Sequence, residues 1–85
     1  MKKIYKYTLR ISDEQEIEIP DDSEILSVQM QSGEPQIWVL VNPENYTMKR
    51  RFKIYGTGHD VEDGLKFIGT FQSGPFVWHL FEVMQ

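Results

Sequence analysis

Apolar and polar residues alternate along most of the chain, and that period of two predicts strands. From Lys3 to Ile11, Tyr5, Tyr7, Leu9 and Ile11 share one face, while Lys6, Thr8 and Arg10 share the other with Ile4. This is the pattern of a half-buried strand. Ser12-Asp13-Glu14 reads as a turn, because short polar side chains compete for the local backbone. Gln15 to Ile19 resumes the alternation with Ile17 and Ile19 inward and Glu16 and Glu18 outward. A hairpin between these two segments would set Lys6 and Arg10 across from Glu16 and Glu18. After the break at Pro20-Asp21-Asp22-Ser23, Glu24 to Gln31 forms a strand with Leu26, Val28 and Met30 on one side. Ser32-Gly33-Glu34-Pro35 turns it into a second hairpin with Gln36 to Asn42. Ile37-Trp38-Val39-Leu40-Val41 is apolar on both faces, as suits a strand in the middle of a sheet.

The second half repeats the logic. Asn42 to Met48 is a loop, and Lys49 to Tyr55 places Arg50, Phe52 and Ile54 opposite Lys49, Arg51, Lys53 and Tyr55. Gly56-Thr57-Gly58-His59 breaks that strand, and Asp60 to Gly64 is an acidic loop. Leu65 to Gln72 and Phe76 to Val83 form a last hairpin around Ser73-Gly74-Pro75, its final strand apolar on both faces. No stretch of ten residues holds a 3.6-residue period. The expectation is a single β domain over residues 1–85: an all-β, compact antiparallel sandwich or partly open barrel of about seven short strands. Two strands that want burial on both faces strain so short a chain, so a homo-oligomer is expected as well.

Composition agrees and excludes more. Of 85 residues, 29 are β-branched or aromatic, and the chain has neither Ala nor Cys. That removes a helical bundle, a disulfide scaffold and thiolate chemistry. A net charge of −4 argues against affinity for long nucleic acid. No apolar run approaches the roughly 18 residues of a membrane span, and the N-terminal residues lack a signal-peptide core, so a cytoplasmic protein is expected.

Catalytic patterns are lacking in the sequence. His59 and His79 stand twenty residues apart without metal-ligand spacing, and no nucleophile motif occurs. The expectation is a protein with no catalytic set, no metal and no cofactor. Seven acids lie between Asp13 and Glu24, against four bases in residues 1–10. Adjacent strands of opposite sign would neutralise each other, and a DNA-mimic surface would need more charge than this. The sharper signal is Lys49 to His59, where four of nine bases fall within five residues and run into a glycine loop. Arg51 and Lys53 suit phosphate, and Tyr55 or Trp78 suits stacking on a base. Continued in extended form, the face of Tyr55 would carry Thr57 and His59. With Thr70 and Gln72 these are candidate hydrogen-bonding groups for base edges or ribose. Gly56 and Gly58 would let backbone N–H groups near Thr57 approach an anion. A basic edge strand ending in a turn has the same sequence.

The order Ile54-Tyr55-Gly56-Thr57-Gly58-His59, Phe67-Ile68-Gly69-Thr70-Phe71-Gln72 and Phe76-Val77-Trp78-His79-Leu80-Phe81-Glu82, with Ile4-Tyr5-Lys6-Tyr7 and Glu24 to Gln29, resembles a family of small phage and prophage proteins of this length. In size and viral setting it also looks like phage sponge proteins that sequester cyclic dinucleotides of the host's CBASS defence without cleaving them. This resemblance implies an oligomeric, non-catalytic, anti-CBASS binder of a cyclic nucleotide immune signal in the host cell cytoplasm. The alternative is a small viral protein–protein interaction module or inhibitor that binds a host protein through a sheet edge or aromatic face. A single-stranded nucleic-acid module of the OB type is a third reading, disfavoured by the net charge.

Overall fold

A computed structural model describes residues 1–84. The described residues form seven strands and no helix: β1 Lys3–Thr8, β2 Glu14–Pro20, β3 Glu24–Gln31, β4 Glu34–Val41, β5 Thr47–Gly56, β6 Leu65–Ser73 and β7 Phe76–Val83. They form two antiparallel sheets, in the orders β1-β4-β3 and β2-β5-β7-β6. The two strands that are apolar on both faces, β4 and β7, both take interior positions, where each has a hydrogen-bonded neighbour on either side. Between the sheets lie Leu9, Ile19, Val28, Ile37, Val39, Val41, Phe52, Ile54, Phe71 and Leu80.

Two of the three expected hairpins form. Gln31 faces Glu34 across a two-residue loop whose residues, Ser32 and Gly33, have φ of 54° and 81°. Two positive φ values in sequence fit a type I′ turn, whose twist matches the strands it joins. The turn is tighter than the expected four residues, so β4 starts at Glu34. Ser73 likewise faces Phe76 across Gly74-Pro75, with Gly74 at φ 57°.

The expected hairpin between the first two strands does not exist. β1 pairs with β4, and β2 pairs with β5 in the other sheet. The chain turns a corner because the buried Gln15 side chain hooks back on the backbone: its Nε2 donates to the Arg10 carbonyl at 2.6 Å and its Oε1 accepts from the Arg10 N–H at 3.0 Å. Glu14, Glu16 and Glu18 therefore stand opposite Lys53, Arg51 and Lys49, not opposite Lys6 and Arg10. A bulge between Ile25 and Ser27 also overturns the expected alternation in β3, leaving Leu26 exposed and Ile25 half-buried.

The two sheets close on one flank, where β3 packs against β6. Gly69 sits at that contact, and a Cβ there would lie 2.7 Å from Val28 Cγ1. Glycine is what allows the strands so near each other. On the opposite flank β1 and β2 are the outermost strands of their sheets.

Candidate functional site

β5 carries the candidate residues toward one end of the sandwich and sorts them onto two faces. Phe52 and Ile54 are buried, so Arg51, Lys53 and Tyr55 point away from the core. The register then sets Tyr55 beside His79, and His79 beside Thr70, on that same outer face. Gln72 is exposed there too, opposite Val77. Trp78 lies opposite Gly56 and the buried Phe71, on the inner side. Strand alternation thus separates Trp78 from the basic residues with which sequence grouped it.

The two bases are already occupied. Arg51 donates from Nε and Nη2 to one oxygen of Glu14, at 2.8 and 2.6 Å. Lys53 bonds Glu62 and lies 3.9 Å from the other Glu14 oxygen. The bond to Glu62 raises the Lys53 pKa above the ordinary lysine value, with desolvation opposing it. Glu14 is the opposite neighbour in the β-ladder, and Glu62 comes from the acidic loop.

The glycine segment is not extended. The His59 N–H donates to the Gly56 carbonyl at 3.1 Å, closing a turn with Gly58 at φ 92°. The His59 ring folds back so that its Nδ1 accepts from the Gly56 N–H at 3.2 Å. Two backbone N–H groups expected to face an anion are thus spent inside the turn. A Cβ on Gly56 would sit 2.9 Å from the His59 ring, so glycine here admits the ring rather than a ligand. Thr57 points to the outer face, where its hydroxyl lies 2.8 Å from His79 Nε2, and the Thr70 hydroxyl lies 3.0 Å from His79 Nδ1. His79, which is not among the candidate residues read from the sequence, is the centre of this polar group. Its signal was the position in register with Tyr55 and Thr70, legible only once strands are paired.

Two recesses flank His59. The larger, about 450 Å³, is lined by Gly56, Thr57, His59, Pro75, Phe76, Val77 and Trp78. Phe76 is 60% exposed, and its ring centroid is 5.9 Å from that of Trp78 at 35°. The Trp78 Nε1–H is enclosed and has no acceptor among the described residues. A concave, mostly apolar notch of this size with a few polar groups at its rim suits a flat organic group. The smaller, about 270 Å³, is lined by Lys53, Tyr55 and His59 together with Asp13, Glu14 and Asp60. Beyond it the outer face is aromatic: Phe81 lies edge-on between Tyr55 and Phe67, at 5.6 and 5.4 Å. Of the eight sequence candidates, Thr57, His59 and Trp78 line the notch. Lys53 and Tyr55 line the neighbouring recess, and Arg51, Thr70 and Gln72, on the outer face, line neither.

Among the described residues no group of three His, Asp or Glu side chains is placed to hold a metal ion. Nor do the described residues contain a helix long and apolar enough to cross a membrane.

Fold and site together define a small two-sheet antiparallel β domain with an open apolar notch at one end. The chain belongs to the family described as a domain of unknown function (DUF7352), which covers residues 1–85. Neither a curated protein nor a solved structure matches it.

Proposed function

We propose that this domain is a non-catalytic binder that sequesters a nucleotide signal of the cyclic dinucleotide class, holding a base in the notch beside Phe76 and Trp78. The supporting observation is the notch itself: exposed aromatic surface at a volume suited to one planar ring, with Thr57 and His59 at its rim. Stacking on an aromatic face contributes about 1–3 kcal/mol per base and tolerates different bases. The phosphate would fall toward Lys53, which then exchanges Glu62 and Glu14 for the ligand. Arg51 is the next cation along β5 and would give up Glu14 in the same way. The resemblance to phage proteins that sequester immune signals supplies the biological setting, an infected host cell whose antiviral signal is held rather than hydrolysed. Such a binder works by mass action, so it must outnumber the signal and hold it more tightly than the host effector does.

A second reading, a small viral module that binds a host protein, is favoured by the same ion pairs. Arg51 and Lys53 are neutralised by carboxylates, and a ligand phosphate must compete with them. A protein partner that covers the exposed Phe67, Phe76 and outer-face aromatics needs no such exchange.

Titration calorimetry with cyclic di- and trinucleotides, linear nucleotides, nucleosides and an oligonucleotide separates the two. The proposal expects submicromolar binding of a cyclic nucleotide, recovered chemically intact after heat release. Binding of nucleosides and cyclic dinucleotides with equal affinity would leave the base in the notch and remove the phosphate role of Lys53. No binding of any member at micromolar concentration would overturn the proposal.

A further inference from the structure

Four strands lie at sheet edges, and they are not equivalent. β3 and β6 shelter each other on the closed flank. β1 and β2 lie on the other flank, joined by the corner Leu9–Asp13, and neither has a hydrogen-bonded neighbour on its outer side. An unpaired edge presents a row of N–H and C=O groups that can template another strand.

The two open edges carry opposite charge. Lys2, Lys3 and Lys6 accompany β1, and Glu14, Glu16 and Glu18 accompany β2. Among the described residues, none of these lysines forms an ion pair, and neither does Glu16 or Glu18. Apolar surface lies along the same flank: Ile4 on β1 is 59% exposed, Tyr5 38%, and Ile11 at the corner 43%.

We infer that a second copy of this chain closes the open flank, β1 of each copy adding to β2 of the other. The two edges lie on one flank but in different sheets. A two-fold axis running along that flank therefore brings a three-stranded sheet of one copy against a four-stranded sheet of the other, twice. Each contact joins a lysine-bearing strand to a glutamate-bearing strand, so the interface is self-complementary, as a closed dimer requires. The pairing of β1 with β1, or of β2 with β2, would set like charges side by side, which disfavours the other registers. Tyr5, on the core side of β1 opposite Val39, then leaves solvent. This dimer does not depend on the notch at the end of the sandwich or on what that notch holds.

The test is sedimentation velocity across concentration and salt, with paired charge reversals and hydrogen exchange. The wild-type chain is expected to dimerise, less tightly at high salt. Lys2→Glu with Lys6→Glu, on the same outward side as the β2 glutamates, is expected to weaken the dimer at least about tenfold, and Glu16→Lys with Glu18→Lys likewise. Mixing the two variants should restore a heterodimer, because each edge again meets its opposite. Lys49 and Arg51 face Glu18 and Glu16 within the subunit, so the second variant is checked for folding by circular dichroism. Should it fail to fold, Glu16→Gln with Glu18→Gln replaces it and is expected to weaken the dimer in the same direction. In exchange measurements, amides of residues 3–8 and 14–20 should gain protection as concentration rises, while those of 24–31 and 65–73 do not change. A chain that stays monomeric at millimolar concentration, a dimer indifferent to both reversals, or concentration-dependent protection found only outside β1 and β2 would overturn the inference.

Discussion

The paired strands β5 and β7 have two very different ends. At one, Arg50 reaches inward and holds the buried Glu82 through two bonds, Nε to Oε2 at 2.5 Å and Nη2 to Oε1 at 2.8 Å. Its third group, Nη1, donates to the Ser23 carbonyl at 2.7 Å. A recess of about 370 Å³ opens there between Asp21–Ser23 and Met84, but Arg50 already has its partners. At the other end, aromatic surface stands open around Phe76. One end spends its polar groups on itself and holds the fold. The other leaves surface uncommitted, and a ligand has something to gain there. Arg50 and Arg51 make the point in miniature, since neighbours in sequence fall on opposite faces and only the first is built into the interior.

The largest effect is expected from breaking the satisfied end. Glu82→Ala leaves Arg50 charged and half-buried without its carboxylate and should cost about 3 kcal/mol in urea denaturation. Ligand affinity per folded molecule should stay unchanged, because the notch lies at the far end. At the open end the order reverses. Gly56→Ala puts a methyl group against the His59 ring and should weaken ligand binding severalfold by calorimetry, at a stability cost of about 1 kcal/mol. Trp78→Phe sharpens the contrast, because it removes an unpartnered buried donor along with part of a ring. Stability should fall by less than the roughly 3 kcal/mol expected of Glu82→Ala, while binding weakens.

Alkaline titration probes the pairs between these ends. The Lys53 pKa is raised by its bond to Glu62, and the Tyr7 pKa by burial, so the folded state holds both protons more tightly than the unfolded chain. Their contribution is fully present below the unfolded values, near pH 10, and is lost as pH rises through the folded ones. Lys53→Gln should flatten the alkaline limb of the stability curve, measured by denaturation between pH 9 and 11. The smallest effect belongs to Arg51→Ala. That exposed pair with Glu14 should be worth about 0.2–1 kcal/mol, less in high salt, despite its short distances.

Local chemistry made much of this legible. Ser32-Gly33 in one loop and Gly74 in the other supply the positive φ that a two-residue hairpin loop needs, so both hairpins could be read from turn residues. β4 and β7 announced their interior positions by being apolar on both faces. The partner of β2 was not legible, because Lys6 and Arg10 offer Glu16 and Glu18 the same charge that Arg51 and Lys49 offer. Gln15 decides the matter by turning the corner, and a lone glutamine in an alternating strand carries no such signal. The site suffered for a related reason. Its residues were grouped by nearness in the chain, whereas His79 joins Thr57 and Thr70 across strands, and Trp78 leaves Arg51 by facing the other way.

What the sequence determined by itself is the all-β class, the strand segments, the two tight hairpins and which side chains of β1, β2 and β5 face the core. These follow from side-chain period and backbone dihedral preference, both local properties. Only the tertiary structure decided that β1 and β2 part into different sheets, that Arg51 and Lys53 are met by Glu14 and Glu62, and that an apolar notch opens beside His59. Those outcomes depend on which distant strand lies alongside, and several partners of equal charge and hydrophobicity competed for that place until burial of one common core selected among them.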